Sequence, residues 1–542
     1  MRRVSTPKLT TIGLDAATFA VIDPMLEAGE LPNLKRLFDA GARGVLRSVT
    51  HPLTPHAWST MTTGVNAGRH GIWDFTQRAE GSYDLRLVNG SFRRAPAIWD
   101  RLSAAGVRSG LVSIPFTWPA PQIDGCVMAG FDAADRDQGF THPAGLLDEL
   151  RERFGPLVLD YRFPIGPDGE LDLDLIRRAA EQKVEIALWL AEHYEVDLLF
   201  AVFMAADHVH HLCWDDWERR GPESRVADVY RILDGAAGAL AHAAGDGDVM
   251  VVSDHGGGAL EGVVNLNAYL EQRGFLAYRG GSAALGRRAV SRVFDLRRVF
   301  PESARTWVKR RLPALRERAY DATTFTVVDW ERTRAFAYGT FGNVVINVRG
   351  REAEGIVDPE DYEAVRAEVA EALRELRGRD GEPIVAAVHR REDLCYGPEI
   401  SKVPDLIVEF EEYRWLGKGN LQGRSDSLWD RIEIESSNHS YVGSHRTEGI
   451  FSLTGPSAAA GRSVTADIAD IAPTILYLLG LPMPSDLDGR LVTEALDTAL
   501  LEQRPPEYSD EESEVLVSQA EGYSPEDEAA VEERLRSLGY LE

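Results

Sequence analysis

The chain has 542 residues, of which 44% are hydrophobic and 27% charged, and its formal net charge is −27. This length exceeds that of an ordinary single domain and is sufficient to bury a large core. The strong negative charge argues against nucleic acid or an anionic membrane as a partner bound through overall charge. An acidic protein that handles an anionic substrate needs local positive charge, which metal ions can supply.

Cysteine usage suits a reducing compartment, and the hydropathy pattern predicts no signal peptide and no membrane span. The three cysteines, Cys126, Cys213 and Cys395, are far apart and show no metal-ligand spacing, so they predict no disulfide framework. The first residues include no apolar stretch of signal-peptide length, and no later run reaches the roughly 20 apolar residues of a membrane span. We therefore expect a cytoplasmic protein without a transmembrane segment, and no sequence pattern specifies an oligomeric state.

The predicted elements alternate between buried strands and amphipathic helices. The first strand, Leu9–Leu14, ends in Asp15, and a helix follows over PNLKRLFDAGA with Gly41 as its stop signal. Three more helix-then-strand units follow along the chain: IWDRLSAAG with VRSGLVSIPF, LIRRAAEQKVEIALWLAEHY with VDLLFAVFMAADH, and VADVYRILDGAAGALAHAAG with DVMVVSDHG. Near-continuous apolar strands of this kind predict a mainly parallel sheet with helices on both faces.

The sequence pattern changes after Gly256. Residues 257–439 contain strand-like runs such as AFAYGTFGNVVINV and DLIVEF, and we interpret them as an inserted cap that carries the substrate contacts. Residues 1–256 and 440–500 form the predicted catalytic domain, which closes with the helix DIADIAPTILYLLG. Residues 501–542 form an acidic tail, for which we predict a short helix.

Two local patterns in these outer regions have more specific readings. Ser524, Pro525 and Asp527 predict an N-cap, a first turn and a capping-box position for the helix of the tail. The stretch 287–311 is locally basic in an acidic chain. It is either a solvated helical face or a surface that binds an anionic substrate or a lipid headgroup.

Several carboxylates and imidazoles lie at or near the ends of predicted strands. Singly, each has an ordinary structural explanation as a helix cap, a surface pair at i and i+4, a turn residue or a loop histidine. Together they supply the ionised carboxylates and neutral imidazoles that a metal site needs at rigid positions. The candidates are Asp15, Asp207, His211, Asp254, His255 and His445.

A hydroxyl residue lies in the segment HPLTPHAWSTMTTGVNAGRHGIWDF, where Thr54 precedes Thr63-Gly64 and His70-Gly71. This frame, together with the order of the candidate ligands, resembles the alkaline phosphatase superfamily, and specifically its type I phosphodiesterase and nucleotide pyrophosphatase family. The segment DIAPTILYLLGLPMPSDLDGR resembles the closing element of that family and of sulfatases. The resemblance therefore covers most of the chain.

The resemblance implies a fold and a set of roles. The implied fold is a three-layer α/β/α sandwich with a mainly parallel central sheet and an inserted cap region. The implied nucleophile is Thr54, which also coordinates one of two metal ions. The implied ligand sets are Asp15, Asp254 and His255 for the ion beside Thr54, and Asp207, His211 and His445 for the second ion.

The implied reaction is hydrolysis of a small phosphorylated substrate through a phospho-threonine intermediate. A divalent ion lowers the pKa of the Thr54 hydroxyl, and a second ion activates the water that completes the reaction. Oxygen and nitrogen ligands without thiolate favour zinc, with manganese as the alternative. Two other functions stay open, a phosphotransferase or mutase of the same superfamily and a non-catalytic protein that binds a phosphate ligand.

Position 75 departs from the family pattern. Nucleotide pyrophosphatases have an Asn at this place that contacts the phosphoryl oxygens, whereas this chain has Phe75. Nucleotide pyrophosphatase activity is therefore not implied by the resemblance. Asn66 and Asn438 are candidate replacements, although a turn position explains both of them.

The neighbours of the candidate ligands have simpler predicted roles. We expect His70 to brace its turn by a hydrogen bond and His439 to support a metal ligand. We expect Trp58 and Trp73 to pack in the core. We expect His208 and His210 to be exposed to solvent.

Overall fold

The computed structural model describes residues 6–79, 81–133, 138–159, 164–166, 170–279, 328–419, 427–432, 440–510 and 522–538. The basic stretch 287–311, Asn438 and His439 lie outside the described residues, so the roles assigned to them stay predictions.

A mainly parallel sheet forms the centre of the fold, as predicted. Glu448–Thr454 runs antiparallel to both of its neighbours, and Thr141–His142 runs antiparallel to the strand beside it. Within the described residues the sheet contains, from one edge to the other, Ser463–Asp467, Ala42–Arg47, Glu448–Thr454, Asp248–Val252, Leu9–Leu14, Leu198–Phe203, Ser109–Val112, Gly125–Met128 and Thr141–His142.

The central strands are covered on both faces. Every residue of Leu9–Leu14, Leu198–Phe203 and Asp248–Val252 is buried, although successive side chains point to opposite faces of a sheet. Helices on both sides are therefore required, which gives the α/β sandwich that the apolar strands predict. Because the carboxyl ends of parallel strands meet at one edge, the residues that follow these three strands come together there.

The helices follow the predicted helix-then-strand units. Leu173–His193 precedes the strand Leu198–Phe203, and Arg225–Ala243 precedes Asp248–Val252. The α-helices of the described residues are Phe19–Glu27, Pro32–Ala40, Thr54–Thr63, Ala67–His70, Ile98–Ala104, Leu146–Phe154, Leu173–His193, Ala205–Arg220, Arg225–Ala243, Leu266–Gln272, Tyr362–Arg374, Arg391–Leu394, Ile471–Leu478, Thr498–Gln503 and Pro525–Ser537. Short 3₁₀ turns span Gly90–Phe92, Gly221–Glu223, Trp330–Arg332, Ile400–Lys402, Glu411–Tyr413, Ile468–Asp470 and Thr493–Ala495.

A second, antiparallel sheet lies within the region interpreted as a cap. Its strand order is Ala335–Tyr338, Asn343–Ile346, Leu406–Phe410 and Val385–Arg390, and the helix Tyr362–Arg374 packs on it. The apolar residues of this sheet form a hydrophobic cluster separate from the one around the central sheet. The predicted strand-like runs thus form strands, while the domain boundaries at 256 and 440 stay predictions.

Smaller groups of paired strands, or ribbons, lie outside the two larger sheets. They pair Gly256–Ala259 with Gly443–Arg446, Gly262–Asn265 with Trp415–Lys418 and Trp429–Asp430, Thr76–Arg78 with Leu85–Leu87, and Met483–Pro484 with Tyr508–Ser509. The first of these ribbons carries the predicted ligand His445. Its partner strand, Gly256–Ala259, directly follows the predicted ligands Asp254 and His255.

The last helix, Pro525–Ser537, has the predicted N-cap Ser524 and first-turn Pro525, while the Asp527 carboxylate accepts from the Ser524 hydroxyl. The Ser524 hydroxyl accepts a hydrogen bond from the Asp527 backbone N–H at 3.2 Å. Val531, Leu535 and Leu538 are buried against the central core, so this part of the tail docks on the chain itself. Among the described residues, no helix combines the length and apolar character needed to cross a membrane.

Candidate metal centre and nucleophile

The predicted ligands converge at the carboxyl edge of the central sheet. Asp15 directly follows the strand Leu9–Leu14, and Asp254 and His255 follow Asp248–Val252 after one residue. These two strands pair directly and in parallel, which brings their ends side by side. All three side chains are fully buried.

The other candidates reach the same edge from a helix and a ribbon. Asp207 and His211 lie one turn apart on the helix Ala205–Arg220, which follows the strand Leu198–Phe203. His445 arrives from the ribbon strand Gly443–Arg446. Because these three are also at most 1% exposed, the structure places all six predicted ligands in one buried cluster.

Each of the three candidate imidazoles has its Nδ1 atom tied to a backbone carbonyl oxygen. The Nδ1 atoms of His211, His255 and His445 lie 3.0, 3.1 and 2.6 Å from the carbonyl oxygens of Gly443, Gly256 and Pro52. A carbonyl oxygen can only accept, so Nδ1 carries the proton and Nε2 keeps its lone pair. This arrangement fixes the tautomer and the orientation that metal-binding histidines require.

The Nε2 atoms of two of these histidines surround a carboxylate oxygen. Asp207 Oδ1 lies 3.2 Å from His211 Nε2 and 3.3 Å from His445 Nε2, and the two Nε2 atoms are 3.1 Å apart. Ligand atoms bound about 2.0–2.1 Å from a tetrahedral Zn²⁺ would be about 3.3 Å apart. We call Asp207, His211 and His445 the distal group.

The second set of atoms lies next to the first. His255 Nε2 is 3.3 Å from Asp254 Oδ2 and 3.8 Å from Asp15 Oδ1. We call Asp15, Asp254 and His255 the proximal group. His255 also stacks on His445 with ring centroids 3.8 Å apart, and its nitrogen lies within 4.8 Å of ligand atoms of Asp207 and His445. The two groups therefore adjoin at His255.

The electrostatics of the cluster call for cations. Each of the three buried carboxylates, Asp15, Asp207 and Asp254, forms an ion pair with a histidine. Burial and then repulsion from Asp207 raise the pKa of Asp254 above its ordinary value, while burial lowers the pKa values of His255 and His445. Burial also raises the pKa of Asp207, but His211 and His445 outweigh it and hold that pKa below its ordinary value.

The donor set fits divalent ions. Asp254 Oδ2 and His255 Nε2 are buried and have no hydrogen-bond partner among the described residues. Leaving such atoms without a partner costs free energy unless another group satisfies them. Carboxylate oxygens and imidazole nitrogens are ligands that zinc and manganese accept.

Thr54 lies in a segment that contacts both groups through neighbouring residues. It begins the helix Thr54–Thr63, is fully buried, and its hydroxyl has no hydrogen-bond partner among the described residues. Two residues earlier, the Pro52 carbonyl accepts the His445 hydrogen bond, and four residues later the Trp58 indole donates to Asp15 Oδ2 at 2.8 Å. The helix N-terminus also favours negative charge at this place.

Trp58 was expected to pack in the core, and it has an additional role. Its ring lies against Gly13, where an added Cβ atom would come within 2.6 Å of the indole, and its N–H orients one Asp15 oxygen. The sequence held one signal for this contact. Trp58 lies four residues after Thr54, so both share one face of the helix.

The expectation that His208 and His210 are exposed is wrong. Both are at most 2% exposed, because the helix that carries them packs against Arg225–Ala243 and against the ribbon strand Gly443–Arg446. His210 Nε2 lies 3.1 Å from the Tyr230 hydroxyl, and burial lowers the pKa of His210 to about 3.

The glycine run after His255 is required by its neighbours. A Cβ atom at Gly257 would lie 2.1 Å from His210 Nδ1, and one at Gly256 would lie 2.2 Å from a backbone carbonyl oxygen. A side chain at Gly257 would push the ribbon away from the helix that carries Asp207 and His211, and one at Gly256 would push it away from the strand Glu448–Thr454.

Phe75 and Asn66 do not take the phosphoryl-contacting role. Phe75 is 1% exposed and packs against Phe116 and Phe131 in the core. Asn66 caps the helix Ala67–His70, with its side-chain oxygen accepting from Gly68 N and its amide donating to Asp488. As predicted, His70 braces its turn, since Nδ1 accepts from Ile72 N and Nε2 meets the Thr60 hydroxyl.

A turn of the second sheet lies beside the cluster. Phe341 is in the connection between Ala335–Tyr338 and Asn343–Ile346, and its ring centroid is 5.3 Å from that of His445. Asn343 accepts from the Trp73 indole and donates to Asp74, both in the segment that follows the Thr54 helix. The region interpreted as a cap therefore contacts the candidate site directly.

Comparison with protein families identifies the chain. Residues 9–441 match the family model described as type I phosphodiesterase / nucleotide pyrophosphatase. The chain belongs to this family. Its members are phosphoester hydrolases that depend on divalent metal ions, so the chain is a hydrolase acting on phosphoric ester bonds. No curated protein matches the sequence significantly.

Solved structures share the fold of this phosphodiesterase family member at low sequence identity. Phosphonoacetate hydrolase from Sinorhizobium meliloti 1021, in complex with phosphonoacetate, is 16% identical with a TM-score of 0.54, and the match covers 88% of this chain and 95% of that one. Human ectonucleotide pyrophosphatase / phosphodiesterase 5 is 15% identical with a TM-score of 0.50, and the match covers 91% and 100%. The predicted alkaline phosphatase-like fold is thereby confirmed.

Proposed function

We propose that the chain hydrolyses small phosphate esters with Thr54 as the nucleophile and with two divalent metal ions as cofactors. Zinc is the preferred metal and manganese the alternative. One ion would be held by the proximal group with Thr54, and the other by the distal group. The observation that carries the proposal is the fixed tautomer of His211, His255 and His445, whose Nε2 lone pairs all lie beside carboxylates. When bound, the ions supply positive charge that stabilises the phosphoryl group and the oxygens around it.

With Thr54 as the nucleophile, the reaction has two successive displacements at phosphorus. In the first, Thr54 Oγ1 gives up its proton to solvent and forms a bond to phosphorus while the bond from phosphorus to the leaving oxygen breaks, and the leaving group takes up a proton from solvent to depart as the alcohol. In the second, water forms a bond to phosphorus while the bond from phosphorus to Thr54 Oγ1 breaks, which releases phosphate from a monoester or a phosphomonoester from a diester, and a proton from the water restores the hydroxyl. Trp58 holds Asp15 in place during both steps, and the buried cluster excludes bulk water from the reacting atoms.

The substrate class follows from the family and from the site. A small phosphorylated molecule fits a reaction centre whose residues are nearly all buried, and the related phosphonoacetate hydrolase structure holds a small phosphonate. Phe75 stands where a phosphoryl-contacting Asn would be, so we do not extend the proposal to nucleotides.

Replacing Thr54 with Ala tests the nucleophile. We expect this variant to lose at least about 10³-fold in turnover of bis-p-nitrophenyl phosphate, because no hydroxyl remains to attack phosphorus. Metal content, measured by elemental analysis after loading with Zn²⁺ or Mn²⁺, should stay near two ions per chain.

Thr62→Ala is the matched control. Thr62 is a buried threonine of the same helix, two turns away, whose hydroxyl donates to the Trp58 carbonyl. This variant should keep its turnover. Hydrolysis by Thr54→Ala at the wild-type rate would show that another group attacks phosphorus, and loss of both ions in that variant would assign Thr54 a mainly structural role.

A further inference from the structure

The distal ligand His211 is supported by a short segment, residues 441–445. The Tyr441 ring stacks on the His211 imidazole with centroids 4.1 Å apart and planes 23° apart. The Gly443 carbonyl accepts the His211 Nδ1 hydrogen bond, and the Val442 N–H donates to the His211 carbonyl at 2.9 Å. The same segment supplies His445, the second imidazole of the distal group.

Tyr441 in turn forms a hydrogen bond to the last helix of the described residues. Its hydroxyl donates a hydrogen bond to the carbonyl oxygen of Leu538, the residue that caps the last helix. Tyr441 is 8% exposed and Leu538 is 1% exposed, so this bond is shielded from water. A shielded hydrogen bond restrains its two groups more strongly than an exposed one.

The last helix is docked firmly enough to transmit this restraint. Arg534 donates to the carbonyl oxygens of Phe131 and Ala133 at 2.6 and 2.7 Å, in the loop that follows the strand Gly125–Met128. Just before the helix, Tyr523 stacks on Trp118 with centroids 4.9 Å apart. The helix therefore bridges the loop after Gly125–Met128 and the segment that holds His211.

We propose that the last helix, Pro525–Ser537, acts through Tyr441 as a support of the distal metal site and sets the affinity of that site for its ion. Tyr441 is a positioning residue, since it contacts a ligand and not the ion. The Gly443 carbonyl fixes the tautomer of His211, while the Tyr441 ring fixes the plane in which its Nε2 lone pair points. Groups that orient metal ligands in this way change metal affinity about 10- to 100-fold when they are removed.

This inference rests on the proposed function, because it takes His211 to be a metal ligand. The experiment therefore includes His211→Ala as a reference. Tyr441→Phe removes the hydroxyl and keeps the ring, and Tyr441→Leu removes both. Val531→Asp places a charge at a buried position of the last helix, and Ala530→Asp places the same charge at its exposed neighbour as the control.

The measurement is a titration of the full-length chain with Zn²⁺ in competition with a chromophoric chelator, which gives a dissociation constant for each ion. We expect Tyr441→Leu and Val531→Asp to weaken one of the two ions about 10- to 100-fold, and to weaken the same ion that His211→Ala loses. Tyr441→Phe should weaken it less, and Ala530→Asp should match wild type. Tyr441→Phe also keeps the inference testable if Val531→Asp does not fold, as judged by circular dichroism.

The outcomes separate the two proposals. If His211→Ala loses one ion while Tyr441→Leu and Val531→Asp bind both ions with wild-type affinity, the helix does not support the site and only this inference fails. If His211→Ala still binds two ions, the distal ligand set is wrong, and the inference fails with it.

Discussion

The proximal and distal groups occupy one cluster, but different kinds of structure hold them. The proximal residues follow two adjacent parallel strands of the central sheet, whose backbone hydrogen bonds fix the separation of Asp15 and Asp254. The distal residues come from a helix and a ribbon, and their positions depend on side-chain contacts such as that of Tyr441 with His211. One group is thus positioned by secondary structure and the other by tertiary packing.

This contrast predicts different sensitivities for the two groups. Outer contacts should matter most where packing alone positions the ligands. A ligand that also adjoins the other group should matter more than any outer contact.

His255→Ala should have the largest effect. His255 adjoins both groups, so its loss removes a proximal ligand and the ring that stacks on His445. We expect turnover to fall by more than about 100-fold, because removal of outer contacts alone costs 10- to 100-fold, and we expect the affinities for both ions to fall. Elemental analysis and hydrolysis assays check this, with the exposed His242→Ala as control. Retention of two tightly bound ions would contradict the shared position of His255.

Trp58→Phe should have an intermediate effect, confined to the proximal ion. The substitution keeps an aromatic ring in the core and removes the N–H that donates to Asp15 Oδ2. We expect affinity for one ion to fall roughly tenfold, toward the lower end of the range for such contacts because the strand still holds Asp15. Zn²⁺ titration should show the distal ion unchanged.

Trp99→Phe is a matched control for that measurement. Trp99 is a fully buried tryptophan whose indole N–H has no hydrogen-bond partner among the described residues. Its replacement should change packing alone and leave both metal affinities intact. Equal losses in the Trp58 and Trp99 variants would mean that packing, and not the hydrogen bond to Asp15, supports the proximal group.

The smallest effect should be a pH dependence of stability at the docking site of the last helix. Burial raises the pKa of Asp132 from 3.8 to about 6, although its carboxylate accepts from Phe116 N and Trp118 N. A raised pKa means that the folded chain favours the protonated form. The stabilisation is therefore complete below about pH 4 and is lost as the pH rises through about 6.

Urea unfolding at pH 5 and pH 8 measures this contribution. Between these values the free energy of unfolding of wild type should fall by on the order of 1–2 kcal/mol more than that of Asp132→Asn. The exposed Asp124→Asn should follow wild type. Parallel pH profiles for wild type and Asp132→Asn would show that Asp132 ionises without cost to the fold.

Local sequence patterns were sufficient to predict most of the fold. The strand Leu9–Leu14 and the helix-then-strand units were predictable because burial imposes a periodicity on the chain itself. Convergence of Asp15 and Asp254 was also predictable, since the carboxyl ends of parallel strands share one edge. These predictions required no knowledge of which helix packs on which strand.

The supporting contacts were not predictable in the same way. Tyr441 and Leu538 are distant in sequence, and nothing near either residue indicates that a tyrosine hydroxyl will meet that carbonyl. The burial of His208 and His210 likewise depends on a neighbouring helix and a neighbouring ribbon. The hydrophobic pattern of the segment around these histidines does not show that those elements pack there. The same limit applies to Trp58, whose aromatic ring indicates a core position but not a hydrogen bond to a carboxylate.

The position of His445 far after His255 in the sequence has a consequence for biosynthesis. During translation the proximal ligands are all available once residue 255 has left the ribosome, whereas the distal group needs residue 445 and its support needs residue 538. Contacts of such large sequence separation form late, because the intervening chain must first be made and ordered. The proximal residues can therefore come together before the distal residues and their support have been synthesised.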